Sequence, residues 1–158
     1  MKNLLKKYFG FDEFRPLQSE IIGNVLSGGD TFALMPTGGG KSLCFQLPAL
    51  KFDSMALSIS PLIALMKDQV DSLRVNGIGA DFINSSQSNE QIHDVMRRAR
   101  NGGIKILYVA PERFATAGFQ NLLHDVKVCL IAVDEAHCIS EWGHDFRPDY
   151  RNLHMLKK

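Results

Sequence analysis

One glycine-rich octapeptide, MPTGGGKS at residues 35–42, restricts the possible folds more than any other part of the chain. It follows a short apolar run, TFALM at 31–35, and precedes a run of helical character, KSLCFQLPAL at 41–50. Consecutive glycines let the backbone turn tightly around an anion, and the start of the next helix adds partial positive charge. In such a loop Lys41 reaches the outer phosphates of a nucleotide and Ser42 ligates Mg²⁺. The order of strand, loop and helix predicts a phosphate-binding site, although the strict pattern has glycine where Met35 stands.

A glycine-rich turn with a chance Lys-Ser pair is the alternative interpretation, and the rest of the chain disfavours it. Apolar runs that predict strands alternate with runs that predict helices, and strands apolar on both faces indicate a mostly parallel sheet covered on both sides. Ligands of such three-layer α/β folds bind beyond the carboxyl ends of the strands. The predicted strands are 31–35, 55–60, 80–84, 104–110 and 128–134, and the intervening runs that predict helices are 3–11, 16–29, 41–50, 62–77 and 88–103, with 111–126 connecting the last two strands.

Length and composition set the broad class. The 158 residues suffice for one domain with a single core, and 18 basic against 17 acidic residues neither indicate nor exclude a nucleic-acid partner. The three cysteines, Cys44, Cys129 and Cys138, lack the CxxC spacing of a zinc site and favour reduced thiols in a cytosolic or nuclear setting. The sequence contains no apolar run long enough for a membrane span and no signal-peptide pattern, so we expect no membrane partner.

Two adjacent acids, Asp134 and Glu135, end the last predicted strand. An aspartate there can hold Mg²⁺ through water, and the neighbouring glutamate can polarise a water for attack on a γ-phosphate. Two acids capping a short helix are the alternative, which the upstream phosphate loop disfavours.

The segments FRPLQSEII, MPTGGGKS, SPLIALMKDQV, YVAPERF and VDEAHCISEWGHDFRPDY, in this order, resemble the RecQ family of superfamily 2 DNA helicases. The resemblance runs from about Phe9 to about Tyr150. It implies a RecA-like P-loop NTPase domain, the first motor domain of an ATP-dependent 3′–5′ DNA helicase that acts in DNA repair and recombination. The implied cofactors are ATP and Mg²⁺, and the implied partners are single-stranded and forked DNA, in the bacterial nucleoid or the nucleus.

The resemblance also assigns nucleotide-site residues. The helices within 1–29 would recognise adenine, with Gln18 reading the base edge, Arg15 matching a family arginine, and Phe11 stacking where the family often has tyrosine. His137 would link the nucleotide site to the next motif, although a structural histidine is the alternative. The implied nucleotide contacts are Phe11, Arg15, Gln18, Thr37, Gly38, Gly39, Gly40, Lys41 and Ser42, the Mg²⁺ ligands are Ser42 and Asp134, and the catalytic set is Lys41, Asp134, Glu135 and His137.

The DNA contacts implied by the resemblance fall into two groups. Ser60, Pro61 and Arg113 match segments that touch the DNA backbone, with helix capping and a surface salt bridge as the alternatives. Residues 138–150 match an aromatic-rich loop that senses single-stranded DNA, and aromatic rings stack on unpaired bases while arginine adds phosphate contacts. Its candidate residues are Trp142, Phe146 and Arg147, and a core tryptophan is the alternative for Trp142.

Parts of the family pattern are missing from the sequence. We find no second RecA-like domain, which would complete the ATP site with an arginine, and no SAT-like motif, zinc-binding part or winged helix. We therefore expect an incomplete sheet that shifts its strands or swaps an element with a second copy, a poorly ordered phosphate loop, and almost no activity from residues 1–158 alone. A nucleotide-dependent binding module without turnover and an RNA helicase of the same superfamily are the competing functions.

Overall fold

The computed structural model describes residues 1–36, 38–139, 147, 149, 150 and 153. Near the N-terminus the helix α1 (Lys2–Leu4) continues into a π-helical turn (Leu5–Phe9), and Gly10 ends it in the left-handed region. The remaining α-helices are α2 (Gln18–Leu26), α3 (Leu43–Ala49), α4 (Ile63–Val75), α5 (Asn89–Arg100) and α6 (Ala117–Asp125), and the strands are β1 (Met55–Ile59), β2 (Ala80–Ile83), β3 (Ile106–Val109) and β4 (Val128–Val133). Two short 3₁₀-helices, Pro111–Ala115 and Ala136–Ile139, follow β3 and β4.

The four strands form one parallel sheet in the order β2-β3-β1-β4 within the described residues. Side chains of β3 alternate between the faces, so Leu107 and Val109 join one apolar cluster while Ile106 and Tyr108 join another. Helices α5 and α6 cover the first face, and α4 with the end of α3 covers the second. The predicted three-layer α/β fold with a mostly parallel sheet is confirmed, and the sheet positions loops at its carboxyl edge.

Local signals in the sequence account for the helix ends. The side chain of Ser88 accepts a hydrogen bond from the N–H of Gln91, whose side chain accepts one from the N–H of Ser88, so α5 begins with a capping box. Gly77, at φ 77°, follows α4 in the left-handed conformation that glycine adopts without steric cost. No helix in the described part of the chain has the length and apolar character needed to cross a membrane.

One buried carboxylate ties the edge strand β2 to two helices. The side chain of Asp81 is 5% exposed, and Arg74 of α4 approaches it at 2.7 Å. Arg98 of α5 donates to the same oxygen and also pairs with Asp94 at 3.0 Å. This network supplies partners for a charge that would otherwise be costly to bury.

The interior of the second face holds a buried tyrosine. The hydroxyl of Tyr108, on β3, accepts a hydrogen bond from Nε2 of Gln46 at 2.8 Å, and the same nitrogen donates to Gln69 of α4 at 2.9 Å. Burial raises the pKa of the Tyr108 phenol to about 12. These contacts fix α3 against the sheet.

The strand predicted for residues 31–35 is wrong. These residues form no strand, and Phe32 and Leu34 are 84% and 85% exposed. Strand β4 is the edge of the sheet in the described residues, and its side chains are only partly buried. Among the described residues the expected shift of strands to close the sheet is also not seen, because there β4 pairs only with β1 and residues 31–35 pair with no strand. An extended apolar segment needs a neighbouring strand to satisfy its backbone groups, and the described residues supply none at this edge.

Candidate nucleotide site and acid pair

The phosphate-loop sequence forms a tight turn before α3. Gly38 and Gly40 adopt φ values of 77° and 79°, a region that side-chain-bearing residues rarely adopt, and the N–H of Gly39 donates to the carbonyl of Pro36 at 3.0 Å. A Cβ atom on Gly40 would lie 2.4 Å from Nε2 of Gln18. The backbone angle therefore favours glycine at position 40, and any larger residue would displace the Gln18 side chain.

Residues before and within α2 hold the carbonyl groups of this turn. Nε2 of Gln18 donates to the carbonyl of Gly40 at 3.1 Å, while its Oε1 accepts from the N–H of Arg15 at 2.8 Å. The Arg15 guanidinium donates to the carbonyl of Gly38. A small cavity of about 120 Å³ lies at this junction, and its lining residues are Phe11, Glu13, Arg15, Gln18, Gly40 and Leu43. The structure thus brings the predicted adenine-recognition residues together with the turn of the phosphate loop.

Sulfur atoms pack beneath the start of the loop. Met35 is buried where the strict phosphate-loop pattern has glycine, and its Sδ lies 3.8 Å from Sγ of Cys44. Burial raises the pKa of the Cys44 thiol, which keeps it in the protonated, unreactive form. Met35 therefore anchors the loop by packing.

The two side chains predicted to hold phosphate and metal lie at the start of α3. Lys41 is exposed, and Ser42 occupies the N-cap position of the helix. Helix α3 contacts β4, the strand that leads to the acid pair. Lys41 and Ser42 thus lie at the start of α3 and the acid pair lies at the end of β4, and these two elements are in contact.

The acid pair continues directly from β4. The N–H of Asp134 donates to the carbonyl of Ile59 at 2.8 Å, which extends the sheet by one residue. Oδ1 of Asp134 accepts from the N–H of Glu135 at 3.0 Å, and Glu135 adopts a φ of 51°. The Glu135 carboxylate lies 3.3 Å from Nδ1 of His137, so three of the four residues predicted as catalytic, all except Lys41, lie together.

The residues predicted to contact the DNA backbone lie at the same edge of the sheet. Ser60 is buried, and its hydroxyl accepts from the N–H of Leu62 at 3.3 Å, next to Pro61, which is also buried. The Arg113 guanidinium donates to the carbonyl of Asn84 at 3.0 Å, and its buried Nε has no hydrogen-bond partner among the described residues. This contact forms a tight turn before α4 and is not a helix cap, because Leu62 is the N-cap residue and α4 has no side-chain cap.

Three predicted residues, Thr37, Trp142 and Phe146, lie outside the described residues. Arg147 is exposed, and its N–H donates to the carbonyl of Cys138 at 2.9 Å. This hydrogen bond joins Arg147 to the 3₁₀-helix that follows the acid pair.

Sequence reasoning missed two buried polar residues at this edge. Asn84 is 1% exposed, and its side-chain oxygen accepts from both the N–H and the hydroxyl of Ser86 at 2.9 and 2.6 Å. Tyr150 is 1% exposed, and its hydroxyl donates to the carbonyl of Asp134 at 2.9 Å. The polar run after β2 could have identified Asn84, whereas no sequence pattern connects Tyr150 with a carbonyl sixteen residues earlier.

Comparison with known proteins identifies the class of this domain. Residues 15–158 match the family model described as DEAD/DEAH box helicase, so the chain belongs to the DEAD/DEAH box helicases. The ATP-dependent DNA helicase RecQ of Haemophilus influenzae is 56% identical over 155 residues, which cover 98% of this chain and 25% of that protein. RecQ of Bacillus subtilis is 50% identical over 98% of the chain and 26% of its own length.

A mammalian relative and a solved structure extend the comparison. The ATP-dependent DNA helicase Q1 of Rattus norvegicus is 45% identical over the whole chain and 27% of its own length. A hypothetical ATP-dependent RNA helicase from Sulfolobus tokodaii has the same fold, with a TM-score of 0.69, 20% identity, and coverage of 88% of this chain and 43% of that one. The predicted RecQ resemblance is confirmed, and the chain spans about a quarter of the length of these RecQ-type relatives.

Proposed function

We propose that this chain is the ATP-binding motor domain of an ATP-dependent 3′–5′ DNA helicase, which couples ATP hydrolysis to translocation on single-stranded DNA and to unwinding. One observation carries the proposal: a glycine-rich turn whose Gly40 carbonyl is held by Gln18, beside a cavity that Phe11 and Arg15 line. The identity of 45–56% to RecQ-type relatives over nearly the whole chain supports the choice of DNA over RNA.

In the proposed nucleotide site, adenine occupies the cavity near Gln18 and the phosphates lie over the turn at 37–42. Lys41 neutralises the outer phosphates, and Thr37, Gly38 and Gly39 contribute backbone groups. An exposed lysine directly after a turn that contains two glycines with positive φ suits this role, because its amine can reach an anion bound over the loop.

The donor set fits Mg²⁺. Ser42 and Asp134 offer oxygen atoms, which this ion prefers, and no cluster of three or more His, Cys, Asp or Glu side chains suited to a metal is found among the described residues. A site with few protein ligands suits an ion that keeps several waters and binds phosphate oxygens. When bound, Mg²⁺ would neutralise charge on the phosphates, while Glu135 orients the attacking water and His137 positions the Glu135 carboxylate.

The proposed DNA contacts fall into the two groups that the resemblance implies. Arg113 and Arg147 would offer cationic groups for phosphates, Ser60 and Pro61 would touch the DNA backbone, and Trp142 and Phe146 would stack on unpaired bases. Arg113 supports this assignment because its side chain follows β3 at the carboxyl edge of the sheet and is only partly buried.

The remaining proposals concern the whole protein that carries this chain. We propose that a second RecA-like domain completes the ATP site, that single-stranded and forked DNA are the substrates, and that the protein acts where the DNA lies, in the nucleoid or nucleus. Residues 1–158 alone would then hydrolyse ATP very slowly, because an arginine supplied across such a cleft is worth about 10³–10⁵ in rate. A swapped dimer of the chain remains a proposal, which sedimentation would test.

The test is the ATPase rate of the whole protein without nucleic acid, with single-stranded DNA and with single-stranded RNA. Lys41→Ala should abolish hydrolysis, and the matched control Lys51→Ala, an exposed lysine at the far end of α3, should not. Near wild-type hydrolysis by Lys41→Ala would contradict the assigned role. Stimulation by RNA but not by DNA would favour an RNA helicase, and nucleotide binding without any turnover would favour a binding module.

A further inference from the structure

The small cavity beside the phosphate loop is lined by two side chains that carry hydrogen-bond acceptors, Glu13 and Gln18. The Gln18 amide is already engaged at both polar atoms, since Oε1 accepts from the N–H of Arg15 at 2.8 Å and Nε2 donates to the carbonyl of Gly40 at 3.1 Å. Gln18 is also only 2% exposed. The other lining side chains are apolar or, like the Arg15 guanidinium, donors without an acceptor. The accessible side-chain acceptor of this cavity is therefore the Glu13 carboxylate.

An ion pair with the first helical turn of the chain orients the Glu13 carboxylate. Nζ of Lys2 lies 2.9 Å from Oε1 and 2.8 Å from Oε2 of Glu13. The two side chains are 63% and 75% exposed, so this pair contributes little to the stability of the fold. A carboxylate has about four lone-pair positions, and both oxygens can therefore accept further hydrogen bonds. The contact with Lys2 thus restricts the direction of the carboxylate while leaving acceptor capacity for a ligand.

A carboxylate in a base-binding cavity distinguishes purines by the group at their 6-position. Adenine carries an amine there, which donates, whereas guanine and hypoxanthine carry a carbonyl oxygen, which accepts. A carboxylate beside the 6-position bonds to the amine but places its lone pairs against those of the carbonyl oxygen. Beside the opposite edge of guanine it would instead accept from N1–H and the 2-amino group. The preference among purine nucleotides therefore reports which part of the base the carboxylate faces.

We propose that Glu13 is a specificity-determining residue of the nucleotide site, whose carboxylate accepts a hydrogen bond from the 6-amino group of adenine. This role rests on the proposed function, because it requires the base to occupy the cavity that Glu13 lines. The two acceptor side chains then have different tasks. Gln18 holds the phosphate loop through the carbonyl of Gly40, and Glu13 selects the base. Because the Glu13 side chain is exposed, the selection is moderate in size.

The test measures the Kd of ATP and of inosine triphosphate (ITP), which has a carbonyl oxygen at the 6-position, for the whole protein and its variants. Wild type should bind ATP more tightly than ITP, and Glu13→Ala should lower this preference by about tenfold, the equivalent of one hydrogen bond to a charged group at an exposed position. Asp12→Ala is the matched control. Asp12 is 72% exposed and forms a similar ion pair with Lys6 at 2.7 Å, but it does not line the cavity. Its preference for ATP should equal that of wild type.

A second variant, Glu13→Gln, checks the direction of the hydrogen bond. An amide can donate as well as accept, so it can bond to the 6-carbonyl of ITP, and this variant should bind ITP more tightly than Glu13→Ala does. Equal affinities of the two variants for ITP, an unchanged preference for ATP in Glu13→Ala, or a wild type that binds GTP more tightly than ATP would each overturn the proposal. Wild-type binding of ATP would in those cases leave the nucleotide site intact. A wild type that binds no nucleotide would overturn both the proposal and the function on which it rests.

Discussion

Replacing Gly40 by alanine tests the contact between the phosphate loop and α2. The new Cβ would lie 2.4 Å from Nε2 of Gln18, an atom at the end of a flexible side chain. Gln18 can therefore move aside, but it is 2% exposed and would lose its bonds to the Gly40 carbonyl and the Arg15 N–H. The left-handed backbone at φ 79° adds strain to alanine in any case.

The expected loss is the sum of these two contributions. A non-glycine residue in the left-handed region costs about 1–2 kcal/mol, and each lost hydrogen bond costs about 0.5–1.5 kcal/mol. Gly77→Ala isolates the first contribution, because Gly77 has a φ of 77° and nothing within 4 Å of the added Cβ. Because two hydrogen bonds are lost, Gly40→Ala should reduce the free energy of unfolding by about 1–3 kcal/mol more than Gly77→Ala does.

Urea unfolding of the 158-residue chain measures both variants, alone and in a Gln18→Ala background. The excess of Gly40→Ala over Gly77→Ala should vanish once Gln18 is gone, since a double-mutant cycle isolates the interaction of neighbouring residues. ATP affinity should fall with Gly40→Ala and stay unchanged with Gly77→Ala. Equal losses of stability for the two variants would refute the inferred contact between Gln18 and the loop.

Two further predictions concern the charge network of β2 and α5. Asp81→Asn should lower the free energy of unfolding by about 1–2 kcal/mol, less than for a fully buried pair, because Arg74 and Arg98 remain 45% and 42% exposed and can be hydrated; a loss below about 0.5 kcal/mol in urea unfolding would contradict it. The hydrogen bond from Arg98 lowers the pKa of the Asp94 carboxyl below its ordinary value of 3.8. The contribution of this ion pair to the free energy of unfolding is therefore present above pH 3.8 and is lost as the pH falls through the lower pKa of the folded state. Unfolding measured from pH 6 to 2 should accordingly show a shallower acid loss for Asp94→Asn than for wild type, and identical profiles would count against this pairing.

The elements of the sheet were predictable because their signals are local. Strands β1 to β4 fall within the runs predicted at 55–60, 80–84, 104–110 and 128–134, since buried parallel strands carry continuous apolar residues. The helix α5 also begins where the Ser88 and Gln91 capping pattern indicates. These features depend on residues a few positions apart.

The site was predictable only in part, because its contacts join distant residues. The order of the motifs assigned Gln18 and Gly40 to the same nucleotide site. The direct hydrogen bond between them follows from the packing of α2 beside the loop. The left-handed Glu135 and the Tyr150 bond to Asp134 have no sequence signal, since glutamate is not a residue type that favours positive φ. The tertiary structure determines both the backbone conformation of Glu135 and the hydrogen bond of Tyr150.

The sequence predicts a strand at 31–35 that the structure lacks, because a strand also requires a neighbouring strand to pair with. In the 158-residue chain Phe32 is 84% exposed, so Phe32→Ser should change the free energy of unfolding by less than about 0.5 kcal/mol. Leu57→Ser is the control in the centre of the sheet, where the side chain is 1% exposed and the loss should exceed about 3 kcal/mol.

The same substitution should behave differently if a further strand pairs with β4 in the whole protein. That strand would cover the partly exposed side chains of β4 and give residues 31–35 a neighbour, so Phe32 would become buried. Phe32→Ser would then cost about 2 kcal/mol or more, the transfer free energy of a buried phenylalanine side chain. A loss of that size in the 158-residue chain itself would mean that residues 31–35 already pack against the sheet. An unchanged stability in both proteins would mean that the segment never joins it.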